Sequence, residues 1–256
     1  IKTKKISILI THFFLSKYLL SQSFFPADPG NLIYYENMQF DKKLEMNSNI
    51  FRPFFFNKSD TFNFSINYKL EFYLNNSAPN QENMDVRYFS KGYSNFNSIQ
   101  LVFDSKFFDM VFEPYIKNDN FYYVESVIRN GTFKNLNDRV LNKNEIFRDK
   151  HVRNLLIFPN FKGFGIGYHF GNRWWGPGFH SSLQMTNNSW PFGSYIIGTM
   201  NELRFGKIGL SALYSFSSLS DKYNPIKKFH TALNGKISWY GSLLISAGLA
   251  ETTSQE

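Results

Sequence analysis

Between Phe62 and Phe72 every second residue is apolar: Phe62, Phe64, Ile66, Tyr68, Leu70 and Phe72. Asn63, Ser65, Asn67, Lys69 and Glu71 fall between them. A period of two puts one set on each face of an extended strand, and a helix cannot reproduce it. At ~3.3 Å per residue the run reaches the length that a tilted membrane strand needs. The pattern recurs. Phe108, Met110 and Phe112 alternate with Asp109 and Glu113, Leu203 and Phe205 with Arg204 and Gly206, and Leu210, Ala212, Tyr214 and Phe216 with Ser211, Ser215 and Ser217. About ten such segments, separated by Gly-, Asn- and Pro-bearing turns, predict an all-β antiparallel fold.

One strand face is therefore apolar, facing either lipid or a second sheet. Three features favour lipid: long strands, strongly polar opposite faces, and ring pairs near turns at Tyr34–Tyr35, Tyr122–Tyr123, Trp174–Trp175 and Trp239–Tyr240. The rival is a soluble β-sandwich. Aromatic residues make up 19% of the chain, with 30 Phe and 15 Tyr. An AT-biased genome accounts for part of that excess but not for its alternation.

The N-terminus carries Lys2, Lys4 and Lys5 before the mostly apolar Ile6–Leu20, with Ser21 and Ser23 where a cleavage site would fall. This predicts an export signal over residues 1–21; an amphipathic helix packed on the domain is the alternative. Residues 22–50 lack alternation and read as an N-terminal periplasmic segment with room for a short helix. Residues 51–256 read as the barrel part. Asn130–Asn154 is charged and without alternation, which predicts a long surface loop or an element folded into the lumen. The chain ends on Thr252–Glu256 rather than on an aromatic closing strand. An open edge is costly in lipid, so a missing C-terminal part is expected.

The stretch Arg173–Phe192 combines a turn forced by Gly176, Pro177 and Gly178 with Arg173, Trp174 and Trp175 at its mouth. FGIGYHF leads in as a strand and SSLQM leads out, followed by Asn187, Asn188 and Pro191–Phe192. This order resembles the Wzi-type capsule-assembly proteins, whose pattern here runs W-G-P-G, then S-L-x-x-S/T-N-N, then P-F. Asn49–Pro53 and Leu233–Gly248 echo the family more weakly. Phe179–His180, Trp190 and Gly193 depart from its pattern and put any shared ligand specificity in doubt. The resemblance implies an incomplete outer-membrane β-barrel, part of a roughly eighteen-stranded one. It also implies a non-enzymatic lectin that binds and anchors capsular or related surface polysaccharide.

The same resemblance implies lipopolysaccharide and outer-membrane lipid as surroundings and the barrel-assembly machinery as an insertion partner. Arg173, Trp174, Trp175, Asn187 and Asn188 become candidate sugar contacts, since rings stack on sugar faces while Arg and Asn give directed hydrogen bonds. The turn reads equally well as a purely structural hairpin. A channel or transporter barrel and a soluble glycan-binding sandwich stand as alternatives.

Other chemistries find less support. The chain lacks cysteine, and its five His show no metal-ligand spacing, so neither metal nor cofactor is expected. Asp104, Asp109, Glu113, Asp119 and Glu125 are spread along strand patterns rather than set as an acid–base pair. Gly163, Gly165, Gly167 and Gly171 precede no helix, which argues for close backbone approach over a phosphate loop. The net charge is +8, but the basic residues are scattered, which argues against nucleic acid.

Overall fold

The computed structural model describes residues 23–28, 37–38, 40–41, 51–56, 61–76, 83–89, 92–121, 145–176, 182, 184–219, 227–239 and 243–254. The fold is all-β. Short strands β1 (Phe24–Phe25), β2 (Phe51–Arg52) and β3 (Phe54–Phe55) come first. Then follow β4 (Phe62–Asn75), β5 (Gly92–Ser105), β6 (Phe108–Phe121), β7 (Glu145–Phe161), β8 (Phe164–Gly171) and β9 (Trp174–Trp175). The series ends with β10 (Phe192–Thr199), β11 (Leu203–Phe205), β12 (Ile208–Leu219), β13 (Lys228–Trp239) and β14 (Leu243–Ser254). Ten of these form one antiparallel sheet in the order β14-β13-β12-β10-β8-β7-β6-β5-β4, with β11 on β12. Each strand pairs with its chain neighbours, as in an up-and-down barrel. Among the described residues β4 and β14 are its edges and do not pair with each other.

An up-and-down order places alternate connections at opposite ends. At one end are the tight turns Lys106–Phe107 and Lys162–Gly163, with residues 200–207 and 240–242. Lys162 and Gly163 both have positive φ, 52° and 86°, as a type I′ hairpin turn requires. The strand ends at the other side are joined through 76–91, 122–144, 172–191 and 220–227, connections that are mostly much longer in sequence. Short turns at one rim and long loops at the other is the arrangement of outer-membrane barrels.

The two faces of the sheet differ in kind. On the outer face Phe62, Phe64, Ile66, Tyr68, Leu70, Phe72 and Leu74 are all exposed, with Leu74 at 85%. Aromatic rings form two tiers there. Phe62, Phe103 and Phe108 contact in series near the tight turns, beside the stacked pair Phe107–Phe161. Phe72–Tyr93 and Phe216–Phe229 stack near the long loops. Ile66, Ile99, Ile166 and Ile197 are exposed between the tiers. Ten residue steps from Phe62 to Phe72, on strands tilted ~40°, separate the tiers by about 25 Å, the height of a barrel's apolar band.

The inner face is buried and largely polar: Ser98, Gln100, Asp104, Asp109, Glu113, Lys117, Asn154, Asn160 and His169. Across it lie the short strands. Phe24–Phe25 pairs with Phe54–Phe55, and Phe24 and Phe55 pack on Val102, Val111, Leu156, Phe158 and Ile196 of β5, β6, β7 and β10. Ser23 Oγ donates to Asp104 near the tight turns, while Asp28 reaches β4 and β7 farther along. The described residues 23–28, within the expected N-terminal periplasmic segment 22–50, therefore run along the inside of the sheet. The sheet likewise starts at Phe62 and not at Phe51. Phe51–Phe55 makes only short inner pairings, because consecutive Phe54, Phe55 and Phe56 need apolar cover on both sides. An Asp41 N–H bond to the Asn37 carbonyl forms one helical turn within 22–50. Residues 1–21 lie outside the described set.

Two local expectations change. Glu145–Asn154 belongs to β7 and is not a loop. The alternation there fails because of a β-bulge opposite Glu113/Pro114, at which Asn154 and Val152 are the paired residues and Arg153 is the extra one. Consecutive Arg153 and Asn154 are both buried inside, and Pro114, with no N–H to donate, occurs where the ladder is already interrupted. The exit strand expected at SSLQM reduces to a bridge between Met185 and Trp175. Gly165 and Gly167 support the close-approach reading: a Cβ on either would sit 2.2 Å from a β7 carbonyl oxygen.

Candidate functional site

The bulge that turns Arg153 inward places it in a dense polar cluster of the described residues. Arg153 Nη2 contacts Asp28 at 3.1 Å and Asp85 at 2.6 Å, and its Nη1 reaches Glu113 at 2.9 Å. Arg87 repeats the arrangement with Asp28 at 2.9 Å, Glu71 at 2.7 Å and Asp85 at 3.2 Å. Lys69 adds a third cation on Asp28. Glu113 also accepts from Ser98 and Gln100, each at 3.0 Å. Both guanidiniums lie over the Phe96 ring, at 4.7 Å for Arg87 and 5.6 Å for Arg153. Burial alone would raise the Asp28 carboxyl. The surrounding Arg87, Lys69 and Arg153 outweigh it and hold the group well below the usual carboxylate range.

This cluster joins six parts of the chain: the inner N-terminal segment, β4, the β4–β5 loop, β5, β6 and β7. The loop is shaped for it, since Asn83 and Asp85 both take positive φ, 56° and 54°, a conformation that Asn and Asp tolerate better than other non-glycine residues. Lys117 Nζ donates to the Val86 carbonyl at 2.6 Å and fixes the loop from β6. A cavity of about 20 Å³ lies beside the cluster, lined by Asp28, Asp85, Glu113, Arg153, Asn172 and Asn187 among others. That is room for a single water, with the otherwise unbonded Asn172 Oδ1 and Asn187 Oδ1 among the atoms of its lining residues.

The residues expected to contact sugar are mostly inside. Trp174 is 0% exposed, Trp175 2%, Arg173 2% and Asn187 1%. Trp174 and Trp175 pair with Arg52 and Phe51, which brings them under the inner strand β2 rather than to an interfacial ring tier. The Arg52 guanidinium lies 5.3 Å from the Trp174 ring centroid and 5.8 Å from that of Phe25. Asn187 Nδ2 donates to the Ala27 carbonyl at 2.6 Å, and the Asn187 carbonyl accepts from Asp85 N–H. These four candidate contacts are interior residues of the structure. A ring pair beside a Gly-Pro turn looks the same in sequence whether it caps a surface hairpin or folds beneath another strand. Asn188 stays exposed, its Oδ1 accepting from Asn83 N–H at 2.6 Å. Gly176 is buried where the chain leaves β9. Pro177, Gly178, Tyr34–Tyr35, Tyr122–Tyr123 and Tyr240 lie outside the described residues, whereas Trp239 is exposed as a rim ring.

At the long-loop rim one exposed ring was not among the expected contacts. Trp190 is 46% exposed, with Lys117 Nζ 5.3 Å from its ring centroid. Asn188 and Ser189 precede it in the same connection, and Asn172 Nδ2 donates to the Ser189 carbonyl. An exposed ring backed by a cation and flanked by amides is suited to stack on a sugar and hydrogen-bond its hydroxyls. In the sequence it stood out as a departure from the Wzi-type pattern, two residues after Asn188. The strand carboxylates Asp104, Asp109 and Glu113 all face inward onto hydrogen-bond donors: Ser23 and Asn63 on Asp104, Asn160 on Asp109, Arg153 on Glu113. Among the described residues no three His, Asp or Glu side chains converge as metal ligands.

The structure thus defines an all-β antiparallel sheet with an apolar outer face and a charged inner face. No protein-family model matches the chain, and neither does any curated protein or solved structure.

Proposed function

We propose that the chain is part of a bacterial outer-membrane β-barrel lectin that binds and anchors capsular or related surface polysaccharide through its long-loop rim. The observation that carries the reading is the polarity of the sheet. A soluble sandwich buries its apolar strand faces and wets its polar ones. Here Phe62–Leu74 presents seven exposed apolar residues outward while Arg, Asp, Glu and Lys are buried inward. Hydrocarbon is the environment in which such an outer face is stable. The two ring tiers and the division into short turns and long loops fit the same setting.

Binding rather than conduction is favoured by the inner face, over which residues 23–28 and the ion cluster are packed. The resemblance of Trp174–Phe192 to Wzi-type proteins supports polysaccharide as the ligand, and Trp190 with Asn188 offers an exposed surface for it. Lipopolysaccharide would surround the outer face, and the barrel-assembly machinery would insert the strands. The test is deletion of the complete gene in the native host. Polymer should move from cells to medium while total synthesis holds. Unchanged attachment would overturn the anchoring role, and sizeable single-channel currents in planar bilayers would replace it with a channel.

A further inference from the structure

Arg173 differs from the other buried cations of the inner face. Its side chain is 2% exposed, and Nε, Nη1 and Nη2 all lack a hydrogen-bond partner. Its guanidinium carbon lies 5.8 Å from the Phe192 ring centroid. The titratable groups that feel its charge are two histidines, His169 of β8 and His230 of β13. His230 Nδ1 is itself buried without a partner, and its ring lies edge-on to Phe192 at 5.8 Å. His169 Nε2 is already engaged by Asn154 Oδ1 at 3.2 Å. Among the described residues the sector therefore gathers unused donors and cationic character without a carboxylate to balance them. Burial draws the Arg173 guanidinium down to about 10, so it is still a cation at neutral pH.

An unpaired buried charge is strongly unfavourable, and a native protein that keeps one has a partner for it that is not part of the fold. A guanidinium offers five N–H donors in a planar fork that matches the paired oxygens of a carboxylate or phosphate. We propose that Arg173, with His230 beside it, forms a buried oxyanion subsite that receives an acidic substituent of a glycan: the carboxylate of a sugar acid or a phosphate ester on a sugar. Arg173 belongs to the 172–191 connection, the one that also carries Trp190. The subsite rests on the glycan-binding reading for the source of the anion, but not for the existence of the site.

The test uses full-length protein folded in detergent and titrated with glucuronate, inorganic phosphate and, as an uncharged control, glucose, with thermal unfolding as the readout. Saturable stabilisation by at least one anion and none by glucose is expected. In Arg173→Met the anion response should fall by roughly tenfold or more in affinity, as loss of a charge-assisted bidentate contact implies. Without anion, Arg173→Met should unfold at the same temperature as the parent or higher, because it removes an unpaired charge while keeping bulk. Preference for glucuronate assigns the sugar acid, and preference for phosphate assigns the phosphorylated sugar. Absence of response to both anions in the parent, or an equal response in parent and Arg173→Met, overturns the subsite. Anion binding by a protein whose deletion leaves polymer attachment unchanged would sustain the subsite while removing the anchoring role.

Discussion

Arg153, in β7, and Arg173, just before β9, are both buried, and their surroundings are opposites. Arg153 meets Asp28, Asp85 and Glu113 within 3.1 Å. Among the described residues Arg173 meets no acceptor. The first arrangement closes on itself. It ties an N-terminal segment, a loop and two strands into one network in which each charge is answered. The second is open, and its cost is recovered only when something else supplies the anion. Charge inside a sheet can thus serve assembly in one sector and recognition in another, and the count of unanswered donors separates the two.

Substitution sharpens that contrast. Arg153→Met leaves Asp28, Asp85 and Glu113 short of their shared cation, and removing one partner of a buried network costs ~3–5 kcal/mol. Urea unfolding of the folded protein in detergent should register that loss, whereas Arg173→Met should register none. Equal losses at both positions would erase the distinction.

A smaller effect is expected at Asp28. Asp28→Asn removes the charge that Lys69, Arg87 and Arg153 share, for ~2–3 kcal/mol. Its sign with pH follows from linkage. The folded-state carboxyl is depressed, so its stabilisation is complete above the unfolded value of about 3.9 and is lost as pH falls through the lower folded one. The stability gap between parent and Asp28→Asn should be constant near neutrality and shrink below about pH 4. A gap that instead widens on acidification would mean that Asp28 is not held as an anion. The smallest change belongs to the rim. Trp190→Ala should weaken glycan binding by roughly 3–10-fold and leave unfolding unaltered, since the ring is half exposed.

How much of this was readable beforehand varies by region. The outer face of β4 was legible because every second residue obeys one rule, and β12 followed the same rule. Glu145–Asn154 was not, because the bulge at Arg153 breaks the period at the point where charged residues turn inward. The inner N-terminal segment left little trace either. Asp28 and Arg153 are 125 residues apart, and neither Phe24–Phe25 nor Asp28 carries a period of its own. Trp174 and Trp175 were conspicuous, but composition does not reveal which side of a sheet a ring pair will occupy. Arg173 was singled out as a glycan contact on an exposed turn. The structure keeps it near the same rim but inside, where a guanidinium can read charge rather than stack in the open.

The central claim is that the face bearing Phe62–Leu74 meets hydrocarbon. The absence of cysteine makes site-directed spin labelling direct, since each introduced Cys is the only one in the chain. Nitroxides placed in turn at positions 64, 66, 68, 70 and 72 of full-length protein in lipid vesicles would be challenged with oxygen, which concentrates in the bilayer, and with a water-soluble nickel chelate. The account predicts high oxygen and low nickel accessibility at all five, strongest at position 68 midway between the ring tiers. High nickel accessibility along the run would contradict it and return the sheet to a water-soluble protein.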